Sequence, residues 1–124
     1  MTTQLIHRCS VLLATIFLFG FVAQAQVQSG SAALLDDAYA TLAQAKHDYD
    51  GHRVKAMKQI EAALGELGAK VTGNGKVHES QGTSDAQLRA AQSLIQQAAA
   101  GLSGKSLKHA NDAITQINDA LAIK

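Results

Sequence analysis

Apolar residues recur at steps of three and four along four stretches of the chain, which is the spacing of one face of an α-helix. A polar segment, residues 47–53, separates the first two stretches, and a break at residues 101–104 separates the last two. The four apolar stripes are Leu35, Ala38, Leu42, Ala45 and Tyr49; Val54, Met57, Ile60, Leu64 and Leu67; Leu88, Ala91, Ile95, Ala98 and Leu102; and Leu107, Ala110, Ile114, Ile117 and Leu121. The pattern predicts four amphipathic helices.

The first two helices form a predicted hairpin over residues 33–68. Gly51 interrupts the apolar pattern, and Asp50 beside it is a candidate N-cap for the second helix. Gly68 is placed to end that helix as its C′ residue.

A second hairpin is predicted over residues 84–124. Its first four residues read S-x-x-Q, a capping box that marks the start of a helix. Residues 69–83 before it contain three glycines and no sustained period, so they form the link. Two short turns and one longer link predict an all-α fold, an antiparallel up-down four-helix bundle over residues 33–124 made of two helical hairpins.

The two hairpins resemble each other in sequence. A shift of 57 positions aligns residues 52–64 with residues 109–121, and the histidine and glutamine of the two segments coincide. Two alanine-rich amphipathic helices match at apolar positions in any case. Internal duplication and chance similarity both stay open.

The first 25 residues have the anatomy of a secretory signal peptide. Arg8 precedes the apolar run Val11–Val22, and Ala23 and Ala25 supply the small residues of a cleavage site. The apolar run is shorter than the roughly 20 residues that span a bilayer. We expect cleavage after Ala25, a flexible lead-in over residues 26–32, and a periplasmic or secreted location.

Charge and motifs narrow the function further. Without Arg8 the chain has ten basic and ten acidic residues, which gives no electrostatic reason to expect nucleic acid or an anionic membrane as a partner. The only cysteine, Cys9, lies before the apolar run, so the mature chain has no disulfide. No Ser-His-Asp set, phosphate loop or calcium loop fits the spacing of the residues, and we predict that the protein is not an enzyme.

Polar chemistry is concentrated at the first turn. His47, Asp48, Asp50 and His52 place two imidazoles and two carboxylates within six residues, and these groups suit copper, nickel or zinc. In an up-down bundle both short turns lie at the same end, so His109 is expected to approach His47 and His52. The alternative is a solvated turn in which Asp50 caps a helix and the histidines are exposed.

The segment 107–114, LKHANDAI, and the Gly51-His52 turn resemble small secreted bacterial helical proteins of the small metal-binding protein type. The resemblance implies an exported helical protein that sequesters divalent copper or nickel in the periplasm. That family is dense in histidine, whereas this chain keeps four after cleavage, His47, His52, His78 and His109. At most one or two metal sites follow.

Two functions therefore stay open for an exported, non-enzymatic helical bundle. The first is binding of a divalent transition metal at the turn end, with no other cofactor. The second is a structural or protein-interaction module of the periplasm or cell envelope that binds no metal. Neither function requires the mature chain to bind nucleic acid or a membrane. The sequence does not identify a protein partner.

Overall fold

The structure, a computed structural model, describes residues 28–73, 75 and 83–123. The signal peptide predicted over residues 1–25 lies outside these ranges. The described residues form four helices and no strand, and we label them α1 (28–44), α2 (His52–Glu66), α3 (Ser84–Ala99) and α4 (Gly104–Ala122). This confirms the all-α prediction with four helices.

The core lies between the four helices and follows the predicted stripes of α1 and α3. On α2 and α4 it shifts towards neighbouring alanines, since only two of the five predicted positions on each helix are buried and Val54 is exposed. Half of the buried apolar side chains among the described residues are alanine, which lets helices approach closely but buries little area per residue. The buried apolar residues are Leu35, Ala38, Leu42, Ala45, Ala56, Ile60, Ala63, Leu64, Leu88, Ala91, Leu94, Ile95, Ala98, Leu102, Ala110, Ala113, Ile117 and Ala120.

At the two ends of α2, one of the predicted capping residues is confirmed and the other is wrong. α2 ends in a Schellman motif, in which the Gly68 and Ala69 N–H groups donate to the carbonyls of Gly65 and Leu64, as predicted for a C′ glycine. Asp50 does not cap α2, because Gly51 occupies the N-cap position and no side chain bonds there.

α3 begins at the predicted residue but with a different cap. Thr83, one residue earlier than expected, accepts a hydrogen bond from the Ala86 N–H at 3.3 Å. α1 differs at its start, since residues 28–32 of the expected flexible lead-in are already helical. Ser31 explains this, because it is buried and its hydroxyl donates to the Ala98 carbonyl of α3 at 3.0 Å.

Hydrogen bonds between helices give their directions. Along α2, His52 bonds to Gln116 of α4, and Gln59 further along bonds to His109, which is earlier in α4. The two helices are therefore antiparallel.

The same argument applies to α1 and α3. Ser31 near the start of α1 bonds to Ala98 near the end of α3, and Lys46 just after α1 bonds to Ser84 at the start of α3. α1 and α3 are therefore also antiparallel.

These directions contradict the predicted up-down topology. In an up-down bundle α1 and α3 are parallel, and so are α2 and α4. Here α1 is antiparallel to α3, and α2 is antiparallel to α4. The order of the helices around the bundle is α1, α2, α4, α3. The two short turns consequently lie at opposite ends.

The physical cause is the path of the link, which connects the far end of α2 to the start of α3 beside the first turn. Its first part is fixed on α1, where the Asp36 carboxylate accepts hydrogen bonds from the Thr72 N–H and hydroxyl. Gly75 then passes so close to α1 that a Cβ there would lie 2.7 Å from the carbonyl carbon of Asp36. Since α2 ends at the end of the bundle away from the first turn and α3 begins beside that turn, α2 and α3 run in the same direction.

Candidate functional site

The first turn has an unusual backbone. We call residues 45–51, together with Asp85 at the start of α3 and Ile123 at the end of α4, the turn end. Tyr49 and Asp50 both have a φ of 53°, and Gly51 follows with a φ of 83°. A left-handed conformation costs a non-glycine residue roughly 1–2 kcal/mol, so other contacts must hold this segment.

Side chains from two neighbouring helices supply these contacts. The Tyr49 hydroxyl donates to Asp85 Oδ1 at 2.6 Å, and the Lys46 N–H donates to the Ser84 hydroxyl at 3.0 Å. Arg53 Nη1 of α2 donates to the Leu42 carbonyl in the last turn of α1 at 3.1 Å. Burial of the Tyr49 ring, and then its bond to Asp85, raises the Tyr49 pKa to about 12. The phenol is therefore a fixed hydrogen-bond donor at neutral pH.

An open depression of about 400 Å³ lies on this surface. It is lined by His47, Asp48, Tyr49, Asp50, Asp85 and Ile123. The His47 ring meets the Tyr49 ring edge-on, with the ring centroids 5.9 Å apart. His47, Asp48 and Asp50 are exposed, so three of the five predicted site residues share one solvent-facing surface.

His52 and His109 do not join them in a shared site. Both are half-buried, and the Nδ1 of each donates to a glutamine Oε1 at 2.8 Å, His52 to Gln116 and His109 to Gln59. His109 is level with Gln59, two helical turns below His52, or about 10 Å at 1.5 Å per residue.

The predicted convergence of His47, His52 and His109 is therefore wrong, because the two short turns lie at opposite ends of the bundle. Within residues 28–73, 75 and 83–123, no group of three or more His, Cys, Asp or Glu side chains has a geometry that could hold a metal ion. His78 lies outside the described residues.

The sequence did not identify four of the residues that form these hydrogen bonds. Gln59 and Gln116 were visible only as matches between the two halves, because their role depends on α2 and α4 being antiparallel. Tyr49 was assigned to the apolar stripe of α1, but the helix ends at residue 44 and Tyr49 lies in the turn. Asp85 had no signal beyond its place in the first turn of α3.

A second depression, of about 440 Å³, lies where α2 meets the link. It is lined by Glu61, Gly65, Gly68, Ala69, Lys70 and Val71. Tyr39 of α1 bonds to Glu61, which raises the Tyr39 pKa. This groove thus brings together one hydrogen-bonded carboxylate and one lysine on an open surface.

None of the described helices is both long and apolar enough to cross a membrane. Comparison with protein-family models, curated proteins and solved structures found no match to the chain. The resemblance to small metal-binding proteins thus stays a prediction from the residues that carry it.

Proposed function

We propose that the protein is an exported, non-enzymatic helical bundle that acts as a protein-interaction module, with the turn end as its contact surface. The carrying observation is that Tyr49 and Asp50 are held in a left-handed conformation on an exposed, polar and aromatic surface. Strained residues that the surrounding contacts over-determine cluster at functional sites.

The chemistry of the turn end indicates the kind of partner. Asp48 and Asp50 present exposed carboxylates, while Tyr49 and Ile123 add aromatic and aliphatic surface beside them. A protein segment that carries a basic side chain next to an apolar one complements this surface.

The histidines support this proposal over metal sequestration. His52 and His109 are about 10 Å apart along the α2–α4 pair, and within the described residues neither belongs to a group of three or more His, Cys, Asp or Glu side chains that could hold a metal ion. His47, on the turn end, lies against the Tyr49 ring and shares its surface with exposed carboxylates, and no group of three metal-binding side chains forms there among the described residues.

Export rests on the sequence of residues 1–25. It is tested by the mass of the protein recovered after expression of the full chain in a bacterial host. A mature chain that begins at Gln26 in the periplasmic or secreted fraction supports export. Full-length protein retained in the cytoplasm contradicts it.

The interaction is tested with matched charge reversals at opposite ends of the bundle. Asp48→Lys changes the turn end, and Glu66→Lys changes another exposed carboxylate, at the end of α2. Each chain serves as bait for envelope proteins of the source cells, after circular dichroism has shown equal folding. We expect a protein that is retained by the wild type and Glu66→Lys to be lost with Asp48→Lys. Equal retention by all three baits removes the turn end as the contact surface.

The competing proposal, metal sequestration, predicts a different result by calorimetry. Copper(II), nickel(II) and zinc(II) are titrated into the mature chain, the His47→Ala variant and the His52→Ala/His109→Ala variant. Stoichiometric heat that the double variant loses would favour sequestration. The interaction proposal predicts no binding that depends on His52 and His109.

A further inference from the structure

The interface between α2 and α4 is reciprocal. His52 of α2 bonds to Gln116 of α4, and His109 of α4 bonds to Gln59 of α2, at the same 2.8 Å and through the same atoms. On each helix the glutamine follows the histidine by seven residues. Each helix thus carries both the donor and the acceptor of this contact.

The interface between α1 and α3 also joins equivalent positions of the two hairpins, although both donors belong to the first hairpin. Ser31 donates to the Ala98 carbonyl of α3, while Ser84 accepts from the Lys46 N–H beside the end of α1. Ser31 and Ser84 occupy equivalent places, since an equal distance separates each from its own Leu-Ala-Leu/Ile-Ala stripe. Each serine bonds to the peptide unit that follows the last alanine of the other stripe.

The buried apolar residues repeat in the same way. Four positions in and directly after α1 match four of α3, and three of α2 match three of α4. The pairs are Leu35 and Leu88, Ala38 and Ala91, Leu42 and Ile95, Ala45 and Ala98, Ala56 and Ala113, Ile60 and Ile117, and Ala63 and Ala120. The two hairpins are therefore related by an approximate two-fold axis that passes near Ala56 and Ala113.

We propose that each hairpin can pair with a second copy of itself, so that two chains form a dimer in which α2 packs on α2 and α4 packs on α4. In an isologous contact every pairing of two positions is matched by its inverse, and each hairpin holds both halves of such a contact. In an α4–α4 pair, His109 of each chain meets Gln116 of the other, and the two Ala113 residues lie beside the axis. This inference is independent of the function proposed above.

The link determines when such a dimer forms. Because the link joins the two hairpins of one chain, the effective concentration of one hairpin around the other is in the millimolar range. Dilute protein is therefore monomeric, and pairing between chains competes only at high protein concentration. Slow exchange is expected, since the hairpins must first separate.

Single cysteines test the pairing in the mature chain, which has no cysteine of its own because Cys9 precedes Gln26. Ala113→Cys and, in a separate chain, Ala56→Cys place a thiol beside the axis of the like-with-like pair. Ala43→Cys, at an exposed position of α1, is the control for random collision. Each chain is unfolded, refolded at low and at high concentration, and oxidised gently.

The expected result is a disulfide-linked dimer of Ala113→Cys or Ala56→Cys that increases severalfold with concentration and exceeds that of Ala43→Cys. Dimer yields no greater than that of the control overturn the proposal. So does a dimer that appears only when Ala56→Cys and Ala113→Cys chains are mixed, because that disulfide joins unlike hairpins. The wild-type chain, refolded at high concentration and measured by light scattering, checks that the cysteines do not themselves cause association.

Discussion

The two hairpins bury similar faces but differ at their turns. α1 and α3 present the same stripe of leucine, isoleucine and alanine, and α2 and α4 hold each other through reciprocal His–Gln bonds. The second turn is a short connection, residues 100–103. The first turn is longer, contains two left-handed non-glycine residues and is fixed by Tyr49 to α3.

The difference separates residues that hold the fold from residues available for another task. A second hairpin of the same design closes with four residues and no left-handed tyrosine or aspartate, so packing alone does not require the first turn as it stands. Its strain, exposed carboxylates and aromatic rings are additions to a shared scaffold. This comparison favours the turn end over His52 and His109 as the surface for the proposed interaction.

The largest loss of stability should come from truncating buried side chains at equivalent positions of the two hairpins. Ile60→Ala and Ile117→Ala each empty a fully buried site, which costs about 2–5 kcal/mol of the free energy of unfolding. Urea unfolding measures both, with Val54→Ala at an exposed site as the control. A loss at one isoleucine of less than half that at the other would show that the two hairpins do not share the core equally.

Among the described residues, the contact of Gly75 with α1 has no counterpart on the second hairpin, and Gly75→Ala disrupts that contact. The added Cβ would meet the backbone of Asp36 and Asp37, which has no flexible end to move away. We expect a loss of about 1–3 kcal/mol, as for other overpacked sites. Gly65→Ala is the matched control, because it adds the same methyl group in open space within a helix and should stabilise by up to about 1 kcal/mol. Equal effects of the two changes would mean that the link does not lie on α1.

The sequence predicted the helices well because helical periodicity is a local property that each segment carries alone. It predicted the topology wrongly because the direction of the second hairpin depends on where the link runs. That path is set by the bonds between Asp36 and Thr72 and by the close approach of Gly75, and neither contact has a periodic signal. The predicted convergence of the three histidines was wrong for the same reason, since His109 meets Gln59 only when α2 and α4 are antiparallel.

Double-mutant cycles on the reciprocal bonds sharpen the comparison. Alanine substitutions at His52 and Gln116 should show a coupling energy of about 0.5–1.5 kcal/mol, typical of one hydrogen bond. The cycle at His109 and Gln59 should give a similar value. His52 and Gln59, which share a helix but do not bond, provide the control and should be additive within about 0.5 kcal/mol. Coupling in only one of the two bonded pairs would remove the approximate two-fold symmetry.

The contact of Tyr49 with Asp85 makes the stability of the first turn depend on pH, and the second hairpin has no tyrosine to do the same. The folded Tyr49 has a pKa of about 12 against an ordinary value of 10.0, so between these values the folded chain keeps a proton that the unfolded chain has lost. Stability from this group is complete below pH 10 and is lost as the pH rises towards 12. Phenolate absorbance of Tyr39→Phe, which retains Tyr49 alone, measures the titration. A midpoint near 10 would show that the Tyr49 ring is neither buried in the turn nor bonded to Asp85.

The smallest effect, and one of opposite sign, is expected from relieving the strain itself. Asp50→Gly removes a Cβ from a left-handed position, and we expect a gain of up to about 1 kcal/mol in the free energy of unfolding. Ala43→Gly in the exposed face of α1 is the control and should lose roughly as much. If the turn is strained for the sake of a partner, Asp50→Gly should be more stable and bind that partner less well. A variant that is more stable and binds equally well would mean that the left-handed turn serves only to connect two helices.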